Sequence, residues 1–254
     1  MSNNNHSINE FDFQLICEYF SSTDRQGPGN ESSTLKAFSY LKDLPNHPKI
    51  ADLGCGTGSS SLVLAKHTDA HITAIDLFPL FIEKLNTRAQ QAHVTEKIHA
   101  TVGDMGELPF EKASFDAIWS EGAIYNVGFQ RGMNEWYPFI KTGGYIAVTE
   151  ATWLTEHRPK EIENFWTDAY PEIDTLPNKV KQMEEAGYRN IITFVLPEEC
   201  WTKEYYIPQQ KAQEIFLEKY PDNPTAQALV SNQHHEAELY QKYKEYYGYV
   251  FFIG

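Results

Sequence analysis

The sequence predicts an α/β fold, in which apolar runs of strand length alternate with amphipathic runs of helix length. Three observations carry that reading. The alternation runs from Ile50 to Leu196, a glycine-rich turn reading ADLGCGTGSSS (51–61) joins the first strand to the helix after it, and an acidic residue, Asp76, closes the next strand. With 254 residues, 41% of them hydrophobic, the chain can bury a sizeable core and suits one large domain better than two.

Each element has its own signal. Ahead of the alternation, residues 8–20 and 31–44 show helical patterns, separated by RQGPGNES (25–32). There Gly27, Pro28 and Gly29 read either as a linker turn or as the hinge of a lid. Residues 50–53 and 72–75 read as the first two strands, with a helix over 60–67 between them. Ile82, Leu85, Ala89 and Ala92 recur at helical spacing behind Pro79, which a first helical turn tolerates. Residues 98–102 and 115–119 give strands three and four. Met133, Trp136, Tyr137 and Ile140 form an apolar stripe, kinked at Pro138 and stopped by Gly143 and Gly144. Residues 145–149 make strand five, 180–186 end a helix capped by Gly187, and 191–196 make strand six. Helical stretches follow around 209–219 and 225–247, and 247–253 form the last strand. The chain therefore divides into an N-terminal helical cap or lid (1–44), a core (45–196), a helical insertion (197–246) and a closing strand (247–254).

Composition narrows the function. A formal charge of −14 argues against a nucleic-acid footprint, because phosphate binding needs clustered Lys and Arg. Neither a secretory leader nor a membrane-spanning run is expected. Cys17, Cys55 and Cys200 are odd in number and far apart, as in a reducing cytoplasm, and Cys55 reads as a small filler within the loop.

The glycine loop falls at a strand-to-helix turn, where glycines let the backbone approach a ligand and helix-start N–H groups face it. The plain alternative is a tight turn and nothing more. Its spacing is G-x-G-x-G, with Ser59 where a dinucleotide fingerprint would place glycine. Asp76 lies 22 positions after Gly54, close to the distance at which a carboxylate meets a ribose, although it could also cap the helix that follows.

DLGCGTG (52–58), the terminal acid Asp76, GDMGELPFEKASFDAIWS (103–120) and FIKTGGYIAVTE (139–150) together resemble the class I S-adenosylmethionine-dependent methyltransferases, and most of all the ubiquinone and menaquinone methyltransferase-like branch. The resemblance spans about residues 46–150. It implies a Rossmann-like, seven-stranded, mostly parallel sheet with an antiparallel last strand and helices on both faces. It also implies an enzyme that transfers a methyl group from S-adenosyl-L-methionine to a small-molecule acceptor. Position by position, Asp52 would lie near the methionine amino group, Gly54 and Gly56 would contact the methionine part, and Asp76 would take the ribose. Leu77 would pack on the adenine, Asp104 and Met105 would border its edge, and Ser120 would offer main-chain contacts beside the sulfonium. Thr142 departs from the family's usual proline.

A sulfonium methyl is already activated, so positioning and exclusion of water are the main catalytic needs. Where the acceptor must lose a proton, Glu121, Tyr125 and His157 are the candidate bases, since they follow the carboxyl ends of strands four and five. Each has an ordinary alternative: Glu121 as an orienting group for the cofactor's ammonium, Tyr125 as packing, His157 as an exposed turn residue. SEGAIYN (120–126) lacks the Asn-Pro-Pro-aromatic tetrad used on nucleic-acid bases, and no acidic cluster suits a metal, so a metal-free reaction is expected. Trp153, Phe165, Trp166 and Tyr170 line an apolar or cation-accepting pocket or belong to the core. Two other functions stand beside methyl transfer: a nicotinamide-dependent oxidoreductase, opposed by Ser59 and the later motifs, and a non-catalytic S-adenosylmethionine binder, which the same cofactor pattern would serve. A homo-oligomer is compatible with the sequence.

Overall fold

The computed structural model describes residues 13–254, so the start of the 8–20 pattern lies outside the described residues. Two short helices, α1 (Phe13–Ser21) and α2 (Glu31–Phe38), precede the sheet. Asn30 caps α2 by accepting the Ser33 N–H at 2.7 Å, satisfying one of the free donors at a helix start. The predicted 31–44 helix is shorter than its pattern. Ser39 is its C-cap, Asp43 takes a φ of 55°, and Pro45 and Pro48 lead the chain into the sheet.

Strands β1 (Lys49–Leu53), β2 (His71–Asp76), β3 (Ile98–Val102), β4 (Phe115–Glu121), β5 (Ile140–Trp153), β6 (Asp174–Thr175), β7 (Ile192–Val195) and β8 (Tyr247–Ile253) form one sheet. Seven of them run in the order β3-β2-β1-β4-β5-β8-β7, and the two-residue β6 pairs with β5. Strand β8 is antiparallel to both neighbours, with Val148 opposite Phe252 and Thr193 opposite Phe252, and the remaining pairs are parallel. The sheet is thus the mostly parallel one expected, with its antiparallel last strand and one small strand more.

Helices cover both faces: α3 (Ser59–His67) and α4 (Pro79–Gln91) follow β1 and β2, α5 (Phe129–Trp136) follows β4, α6 (Lys160–Ala169) follows β5, and α7 (Leu176–Ala186) follows β6. Alternate residues of each strand feed opposite layers. Ile50, Ala74 and Trp119 join Leu62, Ile82 and Leu85 on one side. Leu53, Ile118 and Phe252 join Phe129, Met133 and Met183 on the other. Gly187 ends α7 with a φ of 108°, as its position predicts.

One segment differs from its sequence reading. The apolar stripe 133–140 is not one kinked helix: α5 ends at Trp136, a single 3₁₀ turn spans Tyr137–Phe139, and Ile140 already belongs to β5. Gly143 and Gly144 therefore stop no helix. They lie inside the strand, where Gly143 has φ 78° and a Cβ on Gly144 would stand 2.7 Å from the Asp116 carbonyl oxygen.

Between β7 and β8 the chain forms α8 (Glu199–Trp201), a π-helical turn (Thr202–Tyr206), α9 (Ile207–Lys219) and α10 (Pro224–Tyr243). Helix α10 stops four residues before the predicted 247, because Tyr247 is already paired in the sheet opposite Trp153. Helix α1 packs on this insertion: Leu15 and Tyr19 join Phe216, Ala226, Leu229 and Val230 in a separate apolar cluster. The Tyr19 hydroxyl, buried with them, donates to Gln209 Oε1 and accepts from Gln213 Nε2, both at 3.0 Å. Among the described residues no helix is long and apolar enough to cross a membrane.

Candidate functional site

The strand order reverses at β1, which pairs with β2 on one side and β4 on the other. Connections leaving these strands part to opposite faces, so a crevice opens at their carboxyl ends. A cavity of about 800 Å³ lies there, a size suited to a small organic ligand.

The loop after β1 forms one wall. Gly54 and Gly56 have φ of 70° and 55°, and both face the cavity. A Cβ on Gly54 would stand 2.4 Å from the Ala123 Cβ, and one on Gly56 would stand 2.2 Å from Gln26 Oε1, so side chains are excluded by both conformation and space. The carboxylate of Asp76 holds this loop: Oδ2 accepts the Gly56 N–H at 2.8 Å and Oδ1 accepts the Phe78 N–H at 3.0 Å. Burial raises its pKa, and the N–H donors oppose that rise. Each oxygen keeps a lone pair for a further donor. Leu77 beside it is 53% exposed, an apolar side chain presented to the cavity. Asp104 and Met105 line the same end, where Asp104 Oδ1 accepts the Gly106 N–H at 2.7 Å and Trp136 Nε1 donates to the Met105 carbonyl at 3.0 Å.

Two of the expected cofactor residues stand behind this wall and do not line the cavity. Asp52 is fully buried; its Oδ2 accepts the Ser60 and Ser61 hydroxyls at 2.8 and 2.6 Å, while Oδ1 has no partner. Burial pushes its pKa up to about 7. Ser120 donates its hydroxyl to the Leu53 carbonyl at 2.8 Å, tying β4 to β1.

The three candidate bases fare differently. Glu121 reaches the cavity, but its carboxylate accepts from Thr34 Oγ1 at 2.7 Å, Trp119 Nε1 at 2.9 Å and Arg25 Nη1 at 3.4 Å. With its lone pairs so committed, it works as a strut for the N-terminal segment. Tyr125 lines the cavity, 6.0 Å from the Tyr170 ring in edge-to-face geometry. His157 does not reach it: the side chain is exposed in the turn after β5, where the residue contributes its carbonyl to the Thr155 hydroxyl. A short turn between β5 and α6 carries it outward, the exposed placement that its polar neighbourhood offered as the alternative.

Other residues enter that the sequence did not single out. Gln26 Oε1 accepts the Thr57 N–H at 3.0 Å and its Nε2 donates to Thr57 Oγ1 at 3.1 Å, so the N-terminal segment grips the glycine loop directly. The cavity is also walled by Tyr125, Trp166, Tyr170, Tyr205 and Tyr249, with Glu236 of α10 among them. Of the aromatics expected after strand five, Trp166 and Tyr170 thus line the cavity, while Trp153 is buried and Phe165 packs on Trp166. Burial pushes Glu236 up to about 7, with the Tyr206 hydroxyl, donating at 3.1 Å, opposing the rise. A signal for it existed: Leu229, Gln233, Glu236 and Tyr240 share one helical face, so a carboxyl stands on the inward stripe. Beneath Tyr170 lies a buried ion pair, Glu150 with Lys179 at 3.5 Å, in which burial raises the carboxyl pKa and lowers that of the ammonium.

Residues 50–144 match the protein family described as methyltransferase domain. A sarcosine/dimethylglycine N-methyltransferase from Aphanothece halophytica is 32% identical over 111 residues, 43% of this chain and 40% of that protein. A malonyl-[acyl-carrier protein] O-methyltransferase from Herminiimonas arsenicoxydans is 36% identical over 104 residues, 41% of this chain and 37% of that protein. The chain thus spans about 40% of the length of these relatives. Among solved structures, an S-adenosylmethionine-dependent methyltransferase from Geobacter sulfurreducens, in complex with S-adenosyl-L-homocysteine, has a TM-score of 0.81 over 96% of this chain and 98% of that one, at 19% identity. That likeness is one of fold and extends beyond the matched domain to the cap and the insertion. Residues 50–144 thus match a methyltransferase domain in sequence, and the chain as a whole shares the fold of the S-adenosylmethionine-dependent methyltransferase from Geobacter sulfurreducens.

Proposed function

We propose that the protein transfers a methyl group from S-adenosyl-L-methionine to a small-molecule acceptor by in-line displacement. The observation that carries this reading is a single cavity lined both by the glycine loop, Asp76, Leu77 and Met105 and by a set of aromatic side chains. The residues present fit the cofactor. Gly54 and Gly56 leave room where a Cβ would clash, and the Asp76 oxygens retain lone pairs for ribose hydroxyls. Leu77 offers an apolar face to the adenine, and Asp104 with Met105 borders its edge. Asp52 shapes the loop from behind through Ser60 and Ser61, and Ser120 fixes β4 beside β1.

When bound, the sulfonium supplies a methyl group that needs no further activation. What the chain must do is hold the acceptor in line and keep water out. Helix α1 and the insertion supply the cover: Ile16, Phe20 and Leu229 all face the cavity. The relatives differ in the atom that accepts the methyl group, so the acceptor is assigned from this cavity and not from them. A cytoplasmic location and the lack of a metal ion and of a nucleic-acid partner belong to the same reading. Incubation with methyl-labelled S-adenosylmethionine and a metabolite extract tests it. One or a few labelled small molecules are expected; label retained on the cofactor throughout, with the cofactor bound, would favour a non-catalytic binder.

A further inference from the structure

Glu236 stands apart from the other acids of the cavity. Asp76 and Asp104 hold backbone N–H groups, and Glu121 is paired with Arg25. Glu236 has one hydrogen-bond donor, the Tyr206 hydroxyl, and among the described residues no ion-pair partner. Tyr125, Tyr205 and Tyr249 line the same cavity, so side chains from the turn after β4, the π-helical turn and β8 share it with Glu236. Arg25 is the one cationic side chain lining the cavity among the described residues, and Glu121 occupies it. An anionic acceptor would find no counter-charge here. A cation would find a carboxylate in a cavity lined by tyrosine rings, whose faces attract ammonium groups most strongly when desolvated.

Resting on the methyl-transfer reading, we infer that the acceptor is an amine, held as its ammonium form by Glu236 within the wall of Tyr125, Tyr205 and Tyr249. An ammonium nitrogen has no lone pair to attack with, so it first gives one proton to the Glu236 carboxylate. The freed lone pair then forms the new N–C bond as the C–S bond breaks, and the electrons of that bond stay on sulfur. The product nitrogen is again cationic and remains matched to the ring faces. A carboxyl that burial has moved close to neutrality is a fitting proton acceptor.

The experiment compares choline with its uncharged isostere 3,3-dimethylbutan-1-ol by ligand-observed NMR titration, with and without S-adenosylhomocysteine. Choline should bind at least about tenfold more tightly than the isostere. Glu236→Gln, which keeps an acceptor for the Tyr206 hydroxyl, should erase that preference while leaving S-adenosylhomocysteine affinity within about twofold. Tyr125→Leu, a change at a half-exposed ring, should weaken choline several-fold and serves should the first variant fold poorly. Equal binding of the two probes, no binding of choline, or a preference that survives Glu236→Gln overturns the amine assignment. Failure of S-adenosylhomocysteine to bind the unaltered protein overturns the methyl-transfer reading instead, whatever the probes do.

Discussion

Glu236 also makes a prediction about stability. A carboxyl whose pKa rises on folding, here from 4.5 to about 7, keeps its proton longer in the folded chain than in the unfolded one. Its contribution to stability is complete below the unfolded value and is lost as pH rises through the folded one. Glutamine has no proton to lose. Taking the difference at pH 4.5 as reference, Glu236→Gln should gain about 1–3 kcal/mol over the unaltered protein by pH 8, read from urea unfolding at both values. Asp52 and Glu150 are also raised by burial but titrate in both proteins, so the difference isolates Glu236. A constant difference across the range would mean that the carboxyl is hydrated and carries no such strain. The contrast with Asp76 shows what a sequence reveals at this scale. Asp76 was legible because its place, the last residue of a strand beside a glycine loop, has a fixed meaning in an α/β fold. Glu236 acquires its meaning only from Tyr125, Tyr205 and Tyr249, which lie on three other elements.

Among the elements, strands were legible and the docking of helices was not. Short apolar runs mark β1 to β4 within a residue or two; β1, β2 and β4 are buried on both faces, while β3 lies at the sheet edge and is half-exposed. Helix α1 meets α9 through a pair 190 residues apart, Tyr19 and Gln209, and nothing local encodes that. The structure thereby changes the choice between lid and linker for Gly27–Pro28–Gly29. The segment before α2 is clasped through Arg25 to Glu121 and through Gln26 to Thr57, and α1 rests on the insertion, so cap and insertion cover the cavity together. Such a cover should sit at the less stable end of the molecule and gain protection when a ligand bridges it to the loop. Hydrogen exchange of residues 20–35 should slow at least about tenfold with S-adenosylhomocysteine, equivalent to roughly 1.4 kcal/mol, and residues 226–230 of α10 should slow with them. Unchanged exchange in both stretches, with clear protection at 54–58, would make the cover a passive one.

For the whole molecule, the charge of −14 and the acidic lining of the cavity point the same way, toward small cationic ligands and away from polyanions. Binding to DNA or RNA at physiological salt should be negligible in a filter or anisotropy assay, and salt-dependent sub-micromolar binding would contradict this. The topology was legible as a class from the alternation, and the antiparallel last strand came from the family resemblance, while the strand order is a property of crossovers that periodicity does not record. The boundary errors at α5 and α10 share one cause: an apolar residue satisfies a helix stripe and a strand edge equally well until its partner strand is known, whereas α2 ends early at its Ser39 cap and the turn at Asp43. The central claim is that this fold places the Gly54–Gly58 loop and Asp76 around S-adenosylmethionine. Calorimetric titration of S-adenosylhomocysteine into the protein and into Asp76→Ala tests it most directly. Hydrogen bonds to an ionised acceptor contribute about 1.5–3 kcal/mol each, so saturable one-site binding should weaken on the order of a hundredfold in the variant. No binding to the unaltered protein, or unchanged affinity in a folded Asp76→Ala, would contradict the account.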